Sequence, residues 1–199
     1  MRKIPHKYEN FIDNLILDAC EDLSEPLHKL NFTPNILTTI SLLFGLSSAH
    51  QLYKKQYHLS AILFLIAYFF DCMDGHFARK YNMVTNFGDY YDHFCDITKI
   101  ILIFSVMYYL SFTKFVKIIP LLLILSVLLG LHMSCQEDYY KTTSEEAQPL
   151  LGKMSKICKN KSNDYLDITK YFGCGTYFIV IAIIIWNYDR EYIIIPNYQ

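Results

Sequence analysis

The sequence predicts an all-α fold, a polytopic integral-membrane helical bundle of five to six transmembrane helices with an N-terminal juxtamembrane amphipathic helix. Three observations lead there. Five apolar segments, near 36–53, 59–80, 87–112, 115–135 and 169–188, are each close to the ~20 residues that a helix needs to cross a bilayer. All five are too long and too continuously apolar for the strands of a membrane barrel. The composition is 53% hydrophobic and 19% charged, with seven Gly and six Pro, which leaves little room for linker or disordered sequence. Residues 1–199 therefore read as a single membrane domain.

The first element is residues 8–30, YENFIDNLILDACEDLSEPLHKL. Ile12, Ile16, Ala19 and Leu23 stand at helical spacing, with Asp13, Asp18, Glu21 and Asp22 elsewhere on the circumference. Two placements fit: a helix lying along the membrane interface, or an ordinary amphipathic helix packed on the bundle. The transmembrane bundle itself spans 36–188. Its first segment is the most polar, with Thr38, Thr39, Ser41, Ser47, Ser48 and His50, so neighbouring helices should shield it from lipid. Pro120 falls in the first turn of the fourth segment, where proline is tolerated. Between the fourth and fifth segments, residues 136–168 are polar and read as a loop or surface helix.

Charge and cysteine usage narrow the setting. A net charge of −1 points to no nucleic-acid partner. The start, MRKIPHKYENF, is polar where the apolar core of a signal peptide would begin. Six cysteines are scattered without metal-like spacing and read as free thiols or small apolar residues of a reducing compartment. Twelve Lys and Arg fall in the N-terminus, the 79–80 turn and 136–170, against five in loops 54–58 and 113–117 and the C-terminus. The positive-inside rule then puts the N-terminus in the cytosol.

The chemistry is concentrated at DCMDGHFARKYNMVTNFGDYYDHFCD, residues 71–96. Ionic side chains at the end of an apolar run are costly and mark function. Asp71, Asp74, Gly75 and Ala78 fall at i, i+3, i+4 and i+7, one face of a helix. Gly88, Asp92 and Asp96 share a face of the next. A turn near 81–86 makes the helices antiparallel, so the two acidic faces meet. Four converging carboxylates repel by several kcal/mol unless cations offset them. An all-oxygen set suits Mg²⁺ or Mn²⁺, and two metals bridged by shared carboxylates are a recurring device for phosphoryl chemistry. Gly75, Ala78 and Gly88 remove bulk beside the acids, and Arg79 has the forked donors to hold a phosphate. Close helix packing and a flanking positive charge are the plainer readings of those four residues.

Asp71-x2-Asp74-Gly75-x2-Ala78-Arg79-x8-Gly88-x3-Asp92-x3-Asp96 resembles the signature of the CDP-alcohol phosphatidyltransferases, with all eight fixed positions present. From background usage, a chance match in a chain this long is on the order of 10⁻⁸. Thr33-Pro34-Asn35 with Thr38 is similar to that family's entry into its first membrane helix, and 8–30 to its juxtamembrane helix. The resemblance implies attack by an alcohol acceptor on the β-phosphorus of a CDP-linked donor, with release of CMP, in phospholipid biosynthesis. The donor is CDP-diacylglycerol, CDP-choline or CDP-ethanolamine.

By position in the motif, Asp71, Asp74 and Asp92 bind metal and Asp96 is the general base, with a share in the metal shell. Gly75, Ala78 and Gly88 border the cytidine and ribose, and Arg79 meets phosphate. Lys99, one turn past Asp96, either binds phosphate or pairs with Asp96. The resemblance also implies a homodimer and six membrane helices where five are evident here, so that either 145–160 holds a short, half-buried sixth helix or the C-terminal half is trimmed. It further implies a multi-pass protein of the endoplasmic reticulum or a similar internal membrane with its site facing the cytosol. Asp89 is placed at the mouth of the site, while His93 and His132 read as hydrogen-bonded structural residues. Glu137 and Tyr139 weakly resemble a Trp-Glu-x-Tyr stretch of choline/ethanolamine phosphotransferases, with Gln136 in place of the Trp. The alternatives are a catalytically inactive member acting as a membrane interaction protein, and a cation or proton transporter, for which the glycines, alanine and arginine have no use.

Overall fold

The computed structural model describes residues 2–143 and 162–190, with side chains described for 2–139 and 165–190. Among these residues the fold is helical, without strands. A turn of 3-10 helix at His6–Tyr8 leads into α1 (Phe11–Lys29), α2 (Pro34–Tyr53), α3 (Tyr57–Lys80), α4 (Asn86–Leu110) and α5 (Phe112–Thr143). Then come α6 (Ser162–Thr169), a second 3-10 turn at Lys170–Phe172, and α7 (Cys174–Trp186). The sixth helix considered at 145–160 lies outside the described residues.

Local sequence explains where the helices begin and end. Asn10, Thr33 and Thr85 cap α1, α2 and α4, each side chain accepting a backbone N–H of the first turn. Pro34 fills the first position of α2, where its missing N–H costs nothing. Asn31, Lys55 and Asn82 take left-handed φ of 58°, 59° and 55° just past α1, α2 and α3. Each is followed by an N–H that reaches back to a carbonyl of the last turn: Phe32 to Leu27, Gln56 to Gln51, and Met83 to Ala78. These compact stops turn the chain back within a few residues.

Four helical stretches are long and apolar enough to cross a bilayer: Tyr57–Lys80, Asn86–Leu110, Phe112–Tyr139 and Tyr165–Trp186. The bent pair α1–α2, turned by 117° at its break, makes a fifth when taken as one span. The protein is thus a multi-pass membrane bundle. No separate loop spans 113–117, contrary to the sequence reading. Ser111 alone divides α4 from α5, and Phe115 folds back to meet Phe104 at a tilt and Tyr108 edge-on. Tyr188 Oη donates to the Met107 and Ser111 carbonyls at this turn. Lys114 Nζ donates to the last carbonyls after α7, where the helix dipole favours a cation.

The main core lies among α2, α3, α4, α5 and α7 around Phe64, Ile103, Met107, Ile118 and Ile181. Helix α2 runs between α3 and α4, as its polar composition requires. Ser48 and Ser60 exchange hydrogen bonds with each other's carbonyls, and Ser41 Oγ donates to the Ala67 carbonyl at 2.8 Å. The hydroxyls of Ser41 and Ser48 are thereby satisfied away from lipid, whereas Thr39, Ser47 and His50 are exposed, the first two bonding carbonyls one turn back in α2.

Helix α1 keeps its predicted apolar stripe at the edge between protein and surroundings. Phe11, Leu15 and Leu23 are exposed, and Ile12, Ile16 and Ala19 half-buried, while Asp13, Asn14, Leu17, Cys20 and Ser24 form the face packed on the protein. That arrangement fits a helix whose apolar side meets the membrane interface. Asp13 is held by Tyr68 Oη and by the Gly175 backbone N–H at the start of α7. Cys20, Cys72, Cys95 and Cys174 are free thiols as expected, but Cys135 is disulfide-bonded. Cys158 lies outside the described residues.

Candidate active site and metal centre

Three of the four motif carboxylates meet where α3 and α4 face each other beside α2. Asp71, Asp92 and Asp96 each offer one oxygen, and these oxygens lie within 4.8 Å of one another. Asp74, one turn on from Asp71, is outside this trio. It is 5% exposed and accepts a 2.5 Å hydrogen bond from Thr38 Oγ1 of α2. Thr38 in turn also bonds the Pro34 carbonyl, so the start of α2 supports the acid directly.

Lys99 joins the trio from within α4. Its Nζ lies 2.7 Å from Asp71 Oδ1, 2.8 Å from Asp96 Oδ1 and 2.7 Å from Ser41 Oγ. Of the two expectations for this lysine, the pairing with Asp96 is present and Asp71 shares it.

The two glycines of the motif stand close to polar side chains. The Arg79 guanidinium lies across Gly75, with a nitrogen 3.2 Å from where a Cβ would be. A Cβ on Gly88 would meet Thr85 Oγ1 at 3.1 Å and Asn35 Oδ1 at 3.3 Å. Gly88 therefore stands against the Thr33-Pro34-Asn35 entry to α2. Ala78 is half-buried beside them. His93 Nδ1 bonds the Asp89 backbone carbonyl at 2.8 Å and stands 3.9 Å from its carboxylate. His132 is buried: Gln136 Nε2 donates to its Nε2, so its Nδ1–H donates to Thr169 Oγ1. Both histidines are hydrogen-bonded parts of the frame. Glu137 is fully buried and pairs with Lys3 at 2.8 Å.

Helix α1 fastens the outer end of the site. Glu21 accepts from Lys80 Nζ at 2.5 Å and pairs with His76 Nε2 at 2.8 Å. The Lys80 hydrogen bond above all holds the Glu21 carboxyl below the usual carboxylate range.

The donor set fits a hard divalent cation. The oxygens of the trio are close enough to share an ion, and Asp92 Oδ1 is buried without a hydrogen-bond partner among the described residues. A buried carboxylate oxygen left without a donor is costly, and a bound cation removes that cost.

Sequence reasoning singled out the acids, Thr38 and a Lys99–Asp96 pairing, but not Ser41, Gly45 or the second pairing of Lys99 with Asp71. Ser41, Gly45 and Thr38 on α2 complete the site, and so does the double pairing of Lys99. One signal for them was readable: Ser41, Gly45 and Ser48 fall at i, i+4 and i+7, a small-residue stripe fit for close helix packing.

A model of the CDP-alcohol phosphatidyltransferase family matches residues 31–159, which is most of the chain and contains the whole acidic site. The chain belongs to the CDP-alcohol phosphatidyltransferases. Among curated proteins it is similar to the CDP-diacylglycerol–glycerol-3-phosphate 3-phosphatidyltransferase of Rickettsia typhi (strain ATCC VR-144 / Wilmington), 41% identical over 61 residues. That stretch is 31% of this chain and 32% of the relative. The protein of the same description from Bacillus subtilis (strain 168) is 55% identical over 40 residues, 20% and 21% of the two chains. An Aquifex aeolicus (strain VF5) protein described as uncharacterized is 38% identical over 81 residues, 38% and 41% of the two. The chain thus matches about a third of the length of the first of these relatives. The family assignment rests on the family model.

Proposed function

We propose that this CDP-alcohol phosphatidyltransferase moves a phosphatidyl group from CDP-diacylglycerol to a small alcohol, glycerol 3-phosphate being the first acceptor to test. The observation that carries the chemistry is the Asp71, Asp92 and Asp96 trio with the orphaned Asp92 oxygen. The donor and acceptor are chosen on the names of the similar Rickettsia and Bacillus proteins.

Asp71, Asp92 and Asp96 would hold divalent metal, Mg²⁺ or Mn²⁺, with Asp74 completing a two-metal site. Bound metal supplies positive charge to the diphosphate and to the departing phosphate. The chain's own residues do the rest. Gly75, Ala78 and Gly88 leave backbone open for the nucleotide, and Arg79 lies over Gly75 where a phosphate oxygen can take its guanidinium. The acceptor's oxygen bonds to the β-phosphorus, the bond from that phosphorus to the CMP oxygen breaks, and the acceptor's proton passes to an Asp96 carboxylate oxygen.

We place this site on the cytosolic face of an internal membrane. The Lys and Arg distribution supports that orientation. So does the packing of α1 against the site end of α3 through Glu21, His76 and Lys80. The test supplies purified protein with radiolabelled CDP-diacylglycerol, CDP-choline and CDP-ethanolamine, each with its acceptor. Phosphatidyl transfer to glycerol 3-phosphate with release of CMP is expected. Product from CDP-choline or CDP-ethanolamine alone would replace the donor, and none from any donor would overturn the activity.

A further inference from the structure

The geometry points to Lys99 as a positioning residue: a tethered internal cation that holds Asp71 and Asp96 together without metal and weakens the hold of the carboxylates on a divalent ion. The second half of this statement rests on the metal-site reading above; the first does not.

Three observations support it. The Lys99 ammonium has three N–H donors and three oxygens at 2.7–2.8 Å: Asp71 Oδ1, Asp96 Oδ1 and Ser41 Oγ. Asp71 Oδ1 and Ser41 Oγ accept hydrogen bonds from it, Asp96 Oδ1 is held as an ion pair, and the lysine side chain, 3% exposed, is shielded from a substrate phosphate. Ser41 is itself fixed, because its hydroxyl hydrogen is given to the Ala67 carbonyl and its lone pairs are left for Lys99. Finally, α2 is shaped for the lysine stem. A Cβ at Gly45 would lie 2.5 Å from Lys99 Cγ and 2.8 Å from Cδ, so only glycine leaves the channel.

This tether spans three helices, with Ser41 and Gly45 on α2, Asp71 on α3, and Asp96 with Lys99 on α4. Its charge partly offsets the mutual repulsion of the acids. The carboxylates it holds are two of the three offered to metal, so ammonium and metal ion oppose each other there.

The experiment compares wild type, Lys99→Met and Gly45→Ala in detergent by thermal unfolding in EDTA and by Mn²⁺ titration followed by electron paramagnetic resonance. Methionine keeps the stem and removes the charge. Lys99→Met is expected to unfold at lower temperature in EDTA, to be rescued by Mn²⁺, and to bind Mn²⁺ at least tenfold more tightly. Gly45→Ala, which keeps the ammonium but crowds its stem, should tighten Mn²⁺ binding by a smaller factor, and it decides the matter if Lys99→Met does not fold. A lysine that merely packs would loosen Mn²⁺ binding when removed, and that result would overturn the proposal. So would unchanged unfolding of Lys99→Met in EDTA, or loss of CDP-diacylglycerol binding at saturating Mn²⁺, which would make Lys99 a phosphate ligand. If wild type takes no Mn²⁺ at all, the metal reading falls and with it the second half of the proposal. The unfolding comparison in EDTA still decides the first.

Discussion

Replacing Gly175 by alanine tests how α1 is fastened to the bundle. A Cβ there would lie 2.7 Å from Ile12 Cβ, 2.8 Å from Asp13 Oδ1 and 2.9 Å from Asn10 Oδ1. None of these is the loose end of a long side chain. Asn10 caps α1, Asp13 is bonded to Tyr68 and to the Gly175 N–H, and Ile12 Cβ moves only with its helix. Crowding of this kind costs typically ~1–3 kcal/mol. Alanine recovers a part, at most ~0.5–1 kcal/mol, through its better helix propensity. Crowding wins, and a net loss of about 1–2 kcal/mol lowers the melting temperature by roughly 2–8 °C in a chain of this size. The assay is thermal unfolding in detergent, with limited proteolysis of the α1–α2 junction at 30–33 as a local probe. Faster cleavage there should accompany the lower melting temperature. Transfer activity should fall as well, because loosening α1 withdraws Glu21 from His76 and Lys80 at the end of α3. An unchanged or raised melting temperature would refute the argument that Gly175 is the seat of α1.

Three further outcomes follow from the same geometry. Asp96→Asn should retain donor binding while turnover falls roughly 10²-fold or more, whereas Asp71→Asn should weaken metal-dependent donor binding itself; measuring the two separately for each variant distinguishes base from ligand. Glu9, buried beside Asp13 and bonded by Gln136 with Arg2 nearby, has its carboxyl pushed up to about 7, burial being the larger cause and Asp13 the next. Its folded form prefers the proton, so stability is full below about 4.5, falls as pH rises toward 7, and is flat above. Glu9→Gln should remove that component, on the order of 3 kcal/mol at most, from a pH series of unfolding. Asn31-Phe32-Thr33, in the turn between α1 and α2, and Asn160-Lys161-Ser162 both match the glycosylation pattern. Neither should carry a glycan in a secretory-competent cell, and a mass shift removed by glycosidase would reverse the orientation.

The sequence announced the site because its chemistry is local. Asp71 to Asp96 lie on two consecutive helices joined by a short turn, so helical spacing alone aligns their faces. The caps Thr33 and Thr85 and the polar α2 are legible for the same reason. What binds these parts together is not local. Gly45 matters only because a lysine 54 positions later needs its space, and no spacing rule connects them. Asp13 read as part of a polar circumference, yet it is buried against Tyr68 and the start of α7, 55 and more residues away. Of the apolar residues that helical periodicity picked out on α1, Ile12, Ile16 and Ala19 are half-buried and only Leu23 is exposed, while Phe11 and Leu15 beside them are exposed as well. Periodicity finds the stripe but does not say whether protein or lipid covers it.

The central claim is that the carboxylates work through a divalent ion, and chelation tests it most directly. Purified protein is given radiolabelled CDP-diacylglycerol and glycerol 3-phosphate, with EDTA and then with excess Mg²⁺ or Mn²⁺. Transfer should cease in EDTA and return with the metal, because the Asp71, Asp92 and Asp96 oxygens need a cation to accept a diphosphate. Full transfer in the presence of the chelator would contradict the account.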